Sequence, residues 1–219
     1  MSAVLYRAPG PVTLIGGGPV PPERLAEAAR LAPEIYAADG GGDVVPPPGH
    51  RLRAVIGDMD SLRDPAALAA AGVALRRIAE QDSTDLEKCL YSIAAPLYLG
   101  VGFLGGRLDH ELAALNAVAK NPDRRLILIG REDLCLLVPA AGLAFEAAAG
   151  DRVSLFPMGP CRGTRSTGLR WPVTGLDFAP GERVGTSNAA TGGPVAIGFD
   201  GGPMLAILPA AYLGRLARG

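Results

Sequence analysis

The hydrophobic and polar positions of the chain follow one pattern up to about Ile129 and a different pattern after it. In the first part, short aliphatic runs alternate with longer segments whose apolar residues recur with helical spacing. The predicted strands are Val12–Ile15, Ile35–Ala38, Ala54–Ile56, Leu97–Val101 and Leu126–Ile129. The predicted helices are Pro22–Leu31, Pro65–Ala71, Thr84–Ala94 and His110–Ala119. Strands that alternate with helices predict a parallel sheet with crossover helices.

After about Asp133 the apolar runs are short and are separated by Gly, Pro, Asp and Asn, with hardly any helical spacing. The predicted strands in this part are Val153–Phe156, Leu169–Val173, Val195–Phe199 and Met204–Leu208. Such a pattern is typical of an antiparallel β-sandwich. We therefore predict two domains: an α/β domain with a parallel sheet over residues 1–130, and an antiparallel β-sandwich over residues 131–219.

The composition argues against several functional classes. The 219 residues include 21 basic and 22 acidic side chains, so the chain lacks the broad cationic surface that nucleic-acid binding requires. No segment reaches the roughly 18 to 20 apolar residues of a membrane helix, and Met1–Gly18 does not resemble a signal peptide. Cys89, Cys135 and Cys161 have neither disulfide nor zinc spacing. We expect a globular, cytoplasmic protein with no nucleic-acid or membrane partner.

Acidic residues follow several of the predicted strands. Asp39 stands in Ala-Asp-Gly-Gly-Gly, Asp58 and Asp60 stand in Gly-Asp-Met-Asp-Ser, and Asp109 follows Gly-Gly-Arg-Leu. Ligands of open α/β sheets bind at the edge where the parallel strands end. In an extended segment Asp58 and Asp60 point the same way while Met59 faces the core, and adjacent carboxylates favour a bound cation. Oxygen ligands suit Mg²⁺ shared with phosphates, although an isolated Asp-Gly is commonly an ordinary turn.

The segment Gln81–Lys88 begins a predicted helix and allows two interpretations. In the first, Asp82 is the N-cap, and Asp85, three residues later, completes an arrangement that resembles a capping box. In the second, Thr84, Asp85 and Lys88 lie on one helical face, where a carboxylate and an ammonium together hold a metal and a phosphate. The sequence leaves both interpretations open.

Gly105, Gly106 and Arg107 follow a predicted strand and precede a helix for which Asp109 is the predicted N-cap. Backbone N–H groups and a guanidinium at a helix start favour phosphate binding. The loop matches neither the Walker pattern nor the dinucleotide-binding pattern. The only two histidines lack zinc-ligand spacing, and the nucleophile elbow of serine hydrolases is absent. A phosphate-binding loop outside those common classes is therefore predicted.

Six short motifs, taken in order, resemble those of thiamin pyrophosphokinases. They are Ala38–Gly41, Ile56–Ser61, Gln81–Leu90, Leu104–His110, Thr167–Pro172 and Gly185–Asn188. Each motif is weak by itself, but six in this order over most of the chain are specific. The resemblance implies a nucleotide-binding α/β domain, a thiamin-binding β-sandwich and a homodimer whose active site forms where domains of different subunits meet.

The resemblance also implies a reaction and the residues that perform it. The hydroxyl of thiamin would attack the β-phosphorus of ATP in line, with Mg²⁺ as cofactor and AMP as leaving group. The implied metal ligands are Asp39, Asp58, Asp60 and Asp85. The implied nucleotide-binding residues are Asp39, Gln81, Thr84, Gly105, Gly106 and Arg107. The implied catalytic groups are Asp58, Asp60, Asp85, Lys88, Arg107 and Asp109, and the thiamin pocket would contain Ser187 and Asn188.

Three alternatives stay open at this level. Either Asp85 or Asp109 accepts the hydroxyl proton. Animal and fungal relatives carry a tryptophan in the last strands that stacks on thiamin, whereas this chain has Pro203-Met204 there. The one tryptophan of this chain, Trp171, is predicted to anchor the sandwich core. The alternative functions are a related pyrophosphokinase acting on a hydroxymethylpterin and a nonenzymatic nucleotide or thiamin sensor.

Overall fold

The computed structural model of the protein describes residues 4–218. The described chain forms two compact units. The first unit extends to Ala117 and includes Arg124–Arg131, and the second contains Val118–Asp123 and the chain from Glu132 onward. Within residues 4–218, no helix combines the length and the hydrophobicity that crossing a membrane requires.

The first unit is built on a parallel sheet. Up to Ile129 the strands are β1 (Tyr6–Arg7), β2 (Val12–Ile15), β3 (Glu34–Ala38), β4 (Leu52–Gly57), β5 (Ala74–Arg77), β6 (Ile93–Ala94), β7 (Tyr98–Val101) and β8 (Leu126–Ile129). The helices are α1 (Pro22–Leu31), α2 (Pro65–Ala70), α3 (Asp85–Ser92) and α4 (Leu108–Lys120), with a 3₁₀ helix at Asp39–Asp43. Six strands pair in the order β8-β7-β2-β3-β4-β5, every pair is parallel, and β1 pairs in parallel with β6.

The parallel sheet explains why its inner strands are apolar along almost their whole length. Every residue of β2, β7 and β8 is buried, as expected for strands covered on both faces. One core cluster contains Ile15, Leu25, Ala29, Ile35, Ala37, Leu52, Val55 and Leu62. Because all six strands run in the same direction, the loops that follow their carboxyl ends lie along one edge of the sheet. Those loops carry Asp39, Asp58 and Arg107.

The second unit contains two antiparallel sheets. Its strands are β9 (Asp133–Leu137), β10 (Leu143–Ala147), β11 (Ser154–Pro157), β12 (Cys161–Thr167), β13 (Asp177–Phe178), β14 (Gly193–Gly201) and β15 (Met204–Pro209). One sheet has the order β11-β15-β9 and the other has the order β10-β14-β12-β13. The short helix α5 (Leu213–Leu216) follows a 3₁₀ turn at Ala210–Tyr212. The predicted fold class, a parallel α/β part followed by an antiparallel β part, is confirmed.

Several predicted element bounds are wrong. Helix α3 ends at Ser92, two residues before the predicted end, because the chain there enters β6 to pair with β1. Helix α4 begins at Leu108, so Asp109 lies inside the helix and does not cap it. The predicted strand Leu169–Val173 does not form, and Leu169 makes only an isolated bridge to Ala190. Arg170 and Trp171 are exposed on the loop that replaces this strand.

Two strands that the pattern missed have polar sequences. Strand β5 reads Ala-Leu-Arg-Arg and β12 reads Cys-Arg-Gly-Thr-Arg-Ser-Thr. In β12 only Cys161 and Gly163 are buried, so the strand has little apolar signal of its own. It is held instead by antiparallel pairing with β14 and β13. Pairing partners that are distant in sequence leave no trace in a local hydrophobic pattern.

Candidate active site

The loops after β2, β3 and β4 approach each other so closely that only glycine fits at two positions. A Cβ on Gly41 would lie 2.1 Å from the carbonyl oxygen of Ile15, and a Cβ on Gly57 would lie 2.8 Å from the Cβ of Asp39. Both distances are shorter than any ordinary contact between these atoms. The two glycines therefore allow the carboxylates of the neighbouring loops to converge.

Asp39 opens the 3₁₀ helix after β3 in an unusual backbone conformation. Its φ is +38°, a region that aspartate and asparagine tolerate better than most residues. The residue is only 4% exposed, and its Oδ2 accepts a hydrogen bond of 3.2 Å from the backbone N–H of Ser61. Its Oδ1 is buried and has no hydrogen-bond partner among residues 4–218. Such an oxygen is costly for the fold unless a ligand completes it.

Asp58 and Asp60 lie beside Asp39 in the turn after β4. One carboxylate oxygen of each of the three residues lies within 4.8 Å of the others. Met59, between them, packs against the hydrophobic core, as predicted, but its φ of +69° shows that the segment is a tight turn and not an extended strand. The two carboxylates share a side because the turn folds around Met59. The hydroxyl of Ser61 donates to Asp60 at 2.9 Å and fixes that side chain.

The electrostatics of the cluster differ from one carboxylate to the next. Burial raises the pKa of Asp39, and the negative charges of Asp85, Asp58 and Asp60 raise it further, against the lowering effect of the Ser61 bond. For Asp58 the pKa is lowered, first by a hydrogen bond of 3.0 Å from the Gln81 amide to its Oδ2. Predicted site residue Gln81 thus holds one carboxylate of the cluster directly.

Helix α3 brings a buried ammonium to the same edge. Lys88 is only 2% exposed, and its Nζ lies 3.1 Å from Oδ1 of Asp85. Burial alone would lower the pKa of Lys88, but the hydrogen bond and the charge of Asp85, with further carboxylates nearby, raise it overall. Lys88 is therefore charged and offsets part of the negative charge of the acidic cluster.

The helix start forms a capping box, but with different residues from those predicted. Thr84 is the N-cap of α3: its hydroxyl accepts from the Glu87 N–H, and the Glu87 carboxylate accepts from the Thr84 N–H. Asp82 is not a cap, since its own N–H donates to Glu80 at 2.7 Å. Because Thr84 and Glu87 satisfy the helix end, Asp85 is left to bind Lys88. The predicted capping box is thus wrong in its residues, while the predicted pairing of a carboxylate with an ammonium is present as Asp85 and Lys88.

The loop after β7 carries an ion pair that is separate from the acidic cluster. The Arg107 guanidinium donates two hydrogen bonds, of 3.2 and 2.6 Å, to the Asp109 carboxylate. These side chains are 71% and 64% exposed, and the bonds from Arg107 lower the pKa of Asp109. The Gly105 N–H donates to Glu111, while Gly106 is exposed. In residues 4–218 no ion pair joins Arg107 or Asp109 to the acidic cluster.

In the second unit, the predicted pocket residues Ser187 and Asn188 are held by hydrogen bonds to Ser154 and to the backbone of Trp171. The buried Asn188 amide accepts from the backbone N–H of Trp171 at 3.1 Å and donates to the Trp171 carbonyl at 2.7 Å. Ser187 has a φ of +61°, and its N–H donates to the Ser154 hydroxyl at 2.9 Å. The prediction that Trp171 lies in the core is wrong. Its side chain is 53% exposed, and the Arg170 guanidinium lies 4.8 Å from the centre of its ring.

Two family models match this chain. The model for the catalytic domain of thiamin pyrophosphokinase matches residues 25–128, and the model for its vitamin B1 binding domain matches residues 144–204. The chain belongs to the thiamin pyrophosphokinase family. The resemblance inferred from the six motifs is thereby confirmed. The catalytic-domain match contains the acidic cluster, Lys88 and Arg107, and the vitamin B1 match contains Trp171 and Ser187–Asn188.

Relatives in this family are moderately similar in sequence. Thiamine pyrophosphokinase 1 of Arabidopsis thaliana is 32% identical over 60% of this chain and 56% of its own length. Thiamine pyrophosphokinase 2 of Oryza sativa subsp. japonica is 31% identical over 66% of this chain and 60% of its own length. The chain therefore matches somewhat more than half the length of these curated relatives.

Solved structures share the fold. The thiamin pyrophosphokinase from Geobacillus thermodenitrificans superposes with a TM-score of 0.75 at 23% identity, covering 91% of this chain and 97% of that chain. The yeast thiamin pyrophosphokinase superposes with a TM-score of 0.74 at 19% identity, covering 91% of this chain and 86% of that chain. At these identities the superpositions establish the common fold alone.

Proposed function

We propose that this chain catalyses the Mg²⁺-dependent transfer of a diphosphate group from ATP to thiamin, yielding thiamin diphosphate and AMP. The observation that carries the proposal is the buried Oδ1 of Asp39, which has no protein partner in the described chain and lies beside the carboxylates of Asp58 and Asp60. Membership of the thiamin pyrophosphokinase family supports the choice of substrates.

The residues at this edge fit a magnesium ion. Mg²⁺ prefers oxygen ligands and is usually bound by one or two carboxylates, several waters and substrate phosphates. Asp39, Asp58 and Asp60 would hold it, and the unpartnered oxygen of Asp39 offers one ready ligand atom. When bound, the ion would stabilise the charge on the phosphoryl oxygens. Asp85, the fourth predicted ligand, lies close enough to affect the pKa of Asp39, and we propose it as an outer member of this group.

The cationic side chains would then act on the triphosphate. Lys88 is buried next to Asp85 and is held in place before the nucleotide arrives. Arg107 is paired with Asp109 in solvent, where such a pair contributes little to stability, so a phosphate can replace Asp109 as its partner. Both cations would offset the negative charge that spreads over the phosphoryl oxygens as the AMP oxygen leaves.

The exchange of partners by Arg107 would also affect the proton. While the pair is intact, the bonds from Arg107 lower the pKa of Asp109 and make it a weak base. Once Arg107 binds phosphate, the Asp109 carboxylate is released and its pKa rises toward the ordinary value. We therefore propose that Asp109, more than Asp85 with its bond to Lys88, accepts the proton of the thiamin hydroxyl.

For thiamin itself, we propose that Ser187 and the exposed indole of Trp171 contribute to the pocket. A tryptophan face suits the cationic thiazolium ring. Asn188 would act through Trp171, because its amide bonds both the N–H and the carbonyl of that residue. The role of Asn188 in thiamin affinity would therefore be to fix the position of the ring.

The proposal is tested by incubating the purified chain with ATP, Mg²⁺ and thiamin and measuring thiamin diphosphate and AMP by chromatography. We expect both products in equal amounts and none when EDTA replaces Mg²⁺. Transfer to a hydroxymethylpterin but not to thiamin would replace the proposal with the related pyrophosphokinase. Binding of ATP and thiamin without any product would replace it with the nonenzymatic sensor.

We further propose that the enzyme is a cytoplasmic homodimer whose active site takes residues from both subunits, with residues 1–130 binding the nucleotide and residues 131–219 binding thiamin. The three cysteines are buried thiols, which suits a reducing compartment. Mixing an Asp58→Asn chain with a Trp171→Ala chain tests the shared site. Partial recovery of activity in the mixture supports it, and a sum of the two separate activities contradicts it.

A further inference from the structure

The carboxylate of Glu80 accepts hydrogen bonds from the loop that precedes α3 and from α3 itself. Its Oε2 accepts the backbone N–H groups of Asp82 at 2.7 Å and Ser83 at 3.0 Å. Its Oε1 accepts the hydroxyl of Ser83 and, at 2.9 Å, the hydroxyl of Tyr91 on α3. A single side chain thus takes two backbone and two side-chain donors, far more than an ordinary surface glutamate.

The residue between these contacts is Gln81, whose amide donates at 3.0 Å to Oδ2 of Asp58. Because both N–H groups that follow Gln81 are bound by Glu80, the backbone on that side of Gln81 is fixed. The Tyr91 contact fixes the same loop to the helix that carries Asp85 and Lys88. Glu80 therefore links the Gln81–Asp58 bond to the position of α3.

We propose that Glu80 is a positioning residue for the acidic cluster, which it serves by holding Gln81 against Asp58 and the 80–84 loop against Tyr91. Among residues 4–218, its hydrogen bonds go to Asp82, Ser83 and Tyr91 and not to the proposed metal ligands. The inference rests on the proposed function, since it assigns Glu80 a part in preparing that same site.

The charge of Glu80 is stable over the range in which activity would be measured. The bond from the Ser83 hydroxyl, with those from Tyr91 and the two backbone N–H groups, lowers the pKa of Glu80 to about 2. The side chain is therefore an ionised acceptor for all four donors. An amide at this position would accept through one atom only and would confront the other donors with its own N–H groups.

The test compares Glu80→Gln, Tyr91→Phe and Gln81→Ala with Glu23→Gln, an exposed glutamate of α1, as matched control. Mn²⁺ alone, titrated into each full-length variant, reports on the acidic cluster without requiring turnover. We expect Glu80→Gln to weaken Mn²⁺ binding and lower kcat by about tenfold, as outer partners of metal ligands commonly do. Tyr91→Phe, which removes one of the four donors, should have a smaller effect, and KM for thiamin should stay unchanged in both variants.

A double variant that combines Glu80→Gln with Gln81→Ala distinguishes a positioning role of Glu80 from a general effect on folding. If Glu80 acts through Gln81, adding Glu80→Gln to Gln81→Ala should cause no further loss of Mn²⁺ affinity or kcat. Fully additive losses, or losses that follow the change in Tm in all variants, would overturn the proposal. Mn²⁺ binding with the expected coupling but no thiamin product would overturn the proposed function alone. A wild-type chain that binds no Mn²⁺ would overturn both.

Discussion

The parallel sheet of the first unit presents charged side chains in two contrasting settings. After β3 and β4, the carboxylates of Asp39, Asp58 and Asp60 converge, and one buried oxygen has no hydrogen-bond partner in the described part of the chain. After β7, Arg107 and Asp109 carry opposite charges and bond to each other in solvent. Under the proposed function a cation completes the first group, whereas the second is satisfied as it stands.

This contrast separates side chains that cost stability from side chains that do not. Packing like charges around a buried, unpartnered oxygen destabilises the fold, and under the proposed function a bound Mg²⁺ offsets that cost. The exposed ion pair contributes little to stability, and under the proposed function Arg107 exchanges Asp109 for phosphate. Substitutions in the cluster should therefore change activity and stability in opposite directions. Substitutions in the pair should change activity alone.

The largest expected effect comes from neutralising the cluster. Asp58→Asn or Asp60→Asn should lower kcat by about 10²–10³-fold or more, as expected when a preorganised electrostatic group is lost. The measurement is kcat at saturating ATP, thiamin and Mg²⁺. The matched control is Asp64→Asn, because Asp64 is an exposed N-cap of α2 and asparagine caps helices equally well. Rates close to the wild type in either cluster variant would refute the assigned roles.

The next effect concerns the exposed pair. Arg107→Ala should lower kcat/KM for ATP by about 10- to 100-fold, because the phosphates lose a two-pronged donor. The free energy of unfolding should stay close to the wild-type value, as at other surface sites. Arg107→Lys keeps the charge without the fork and should recover only part of the loss.

A matched control for this prediction is Arg162→Ala, which breaks another exposed arginine–aspartate pair, with Asp177 in the second unit. That variant should retain wild-type kinetics and stability. Equal kinetic losses in the Arg107 and Arg162 variants would show that removing any surface arginine has this effect. A large drop in stability for Arg107→Ala would show that the contrast between the two settings is false.

Some features of the acidic cluster can be predicted from the sequence, and others cannot. The ends of β3 and β4 are predictable because their apolar runs stop at Asp39 and Asp58, and parallel strands must bring such ends together. The burial of Asp39 is not predictable, since its partner Ser61 lies 22 residues away and the φ of +38° depends on neighbouring loops. Local spacing contains no information about contacts of that range.

The same limit explains the errors around α3 and in the second unit. The spacing of Asp82 and Asp85 permits a capping box as one of two interpretations, but the Asp82 N–H donates to Glu80 and Thr84 caps the helix. The core position expected for Trp171 followed from its size alone. Its exposed position depends on Asn188, 17 residues further on, which bonds its backbone. A hydrogen bond between a side chain and a backbone group far away in the sequence leaves no trace in the periodicity of hydrophobic residues.

The smallest expected effect tests the contrast most directly, because it predicts a gain. In the metal-free protein, Asp39→Asn should raise the free energy of unfolding by about 1 kcal/mol, the lower end of the cost of one unsatisfied buried group. The new amide N–H groups can donate to Asp58 or Asp60, and asparagine tolerates the positive φ at this position. The measurement is urea unfolding in EDTA.

The stability gain expected for Asp39→Asn should depend on pH, in a direction set by the raised pKa of Asp39. Because the pKa of Asp39 is higher in the folded than in the unfolded chain, the native state holds more protons, and its stability falls as pH rises through that folded pKa. The advantage of Asp39→Asn should therefore be largest at neutral pH and shrink as pH falls toward the unfolded value of about 4. Adding Mg²⁺ should stabilise the wild type but not the variant. If Asp39→Asn instead destabilised the metal-free chain at neutral pH, the carboxylate would be a structural group, and the cluster would not differ in kind from the exposed pair.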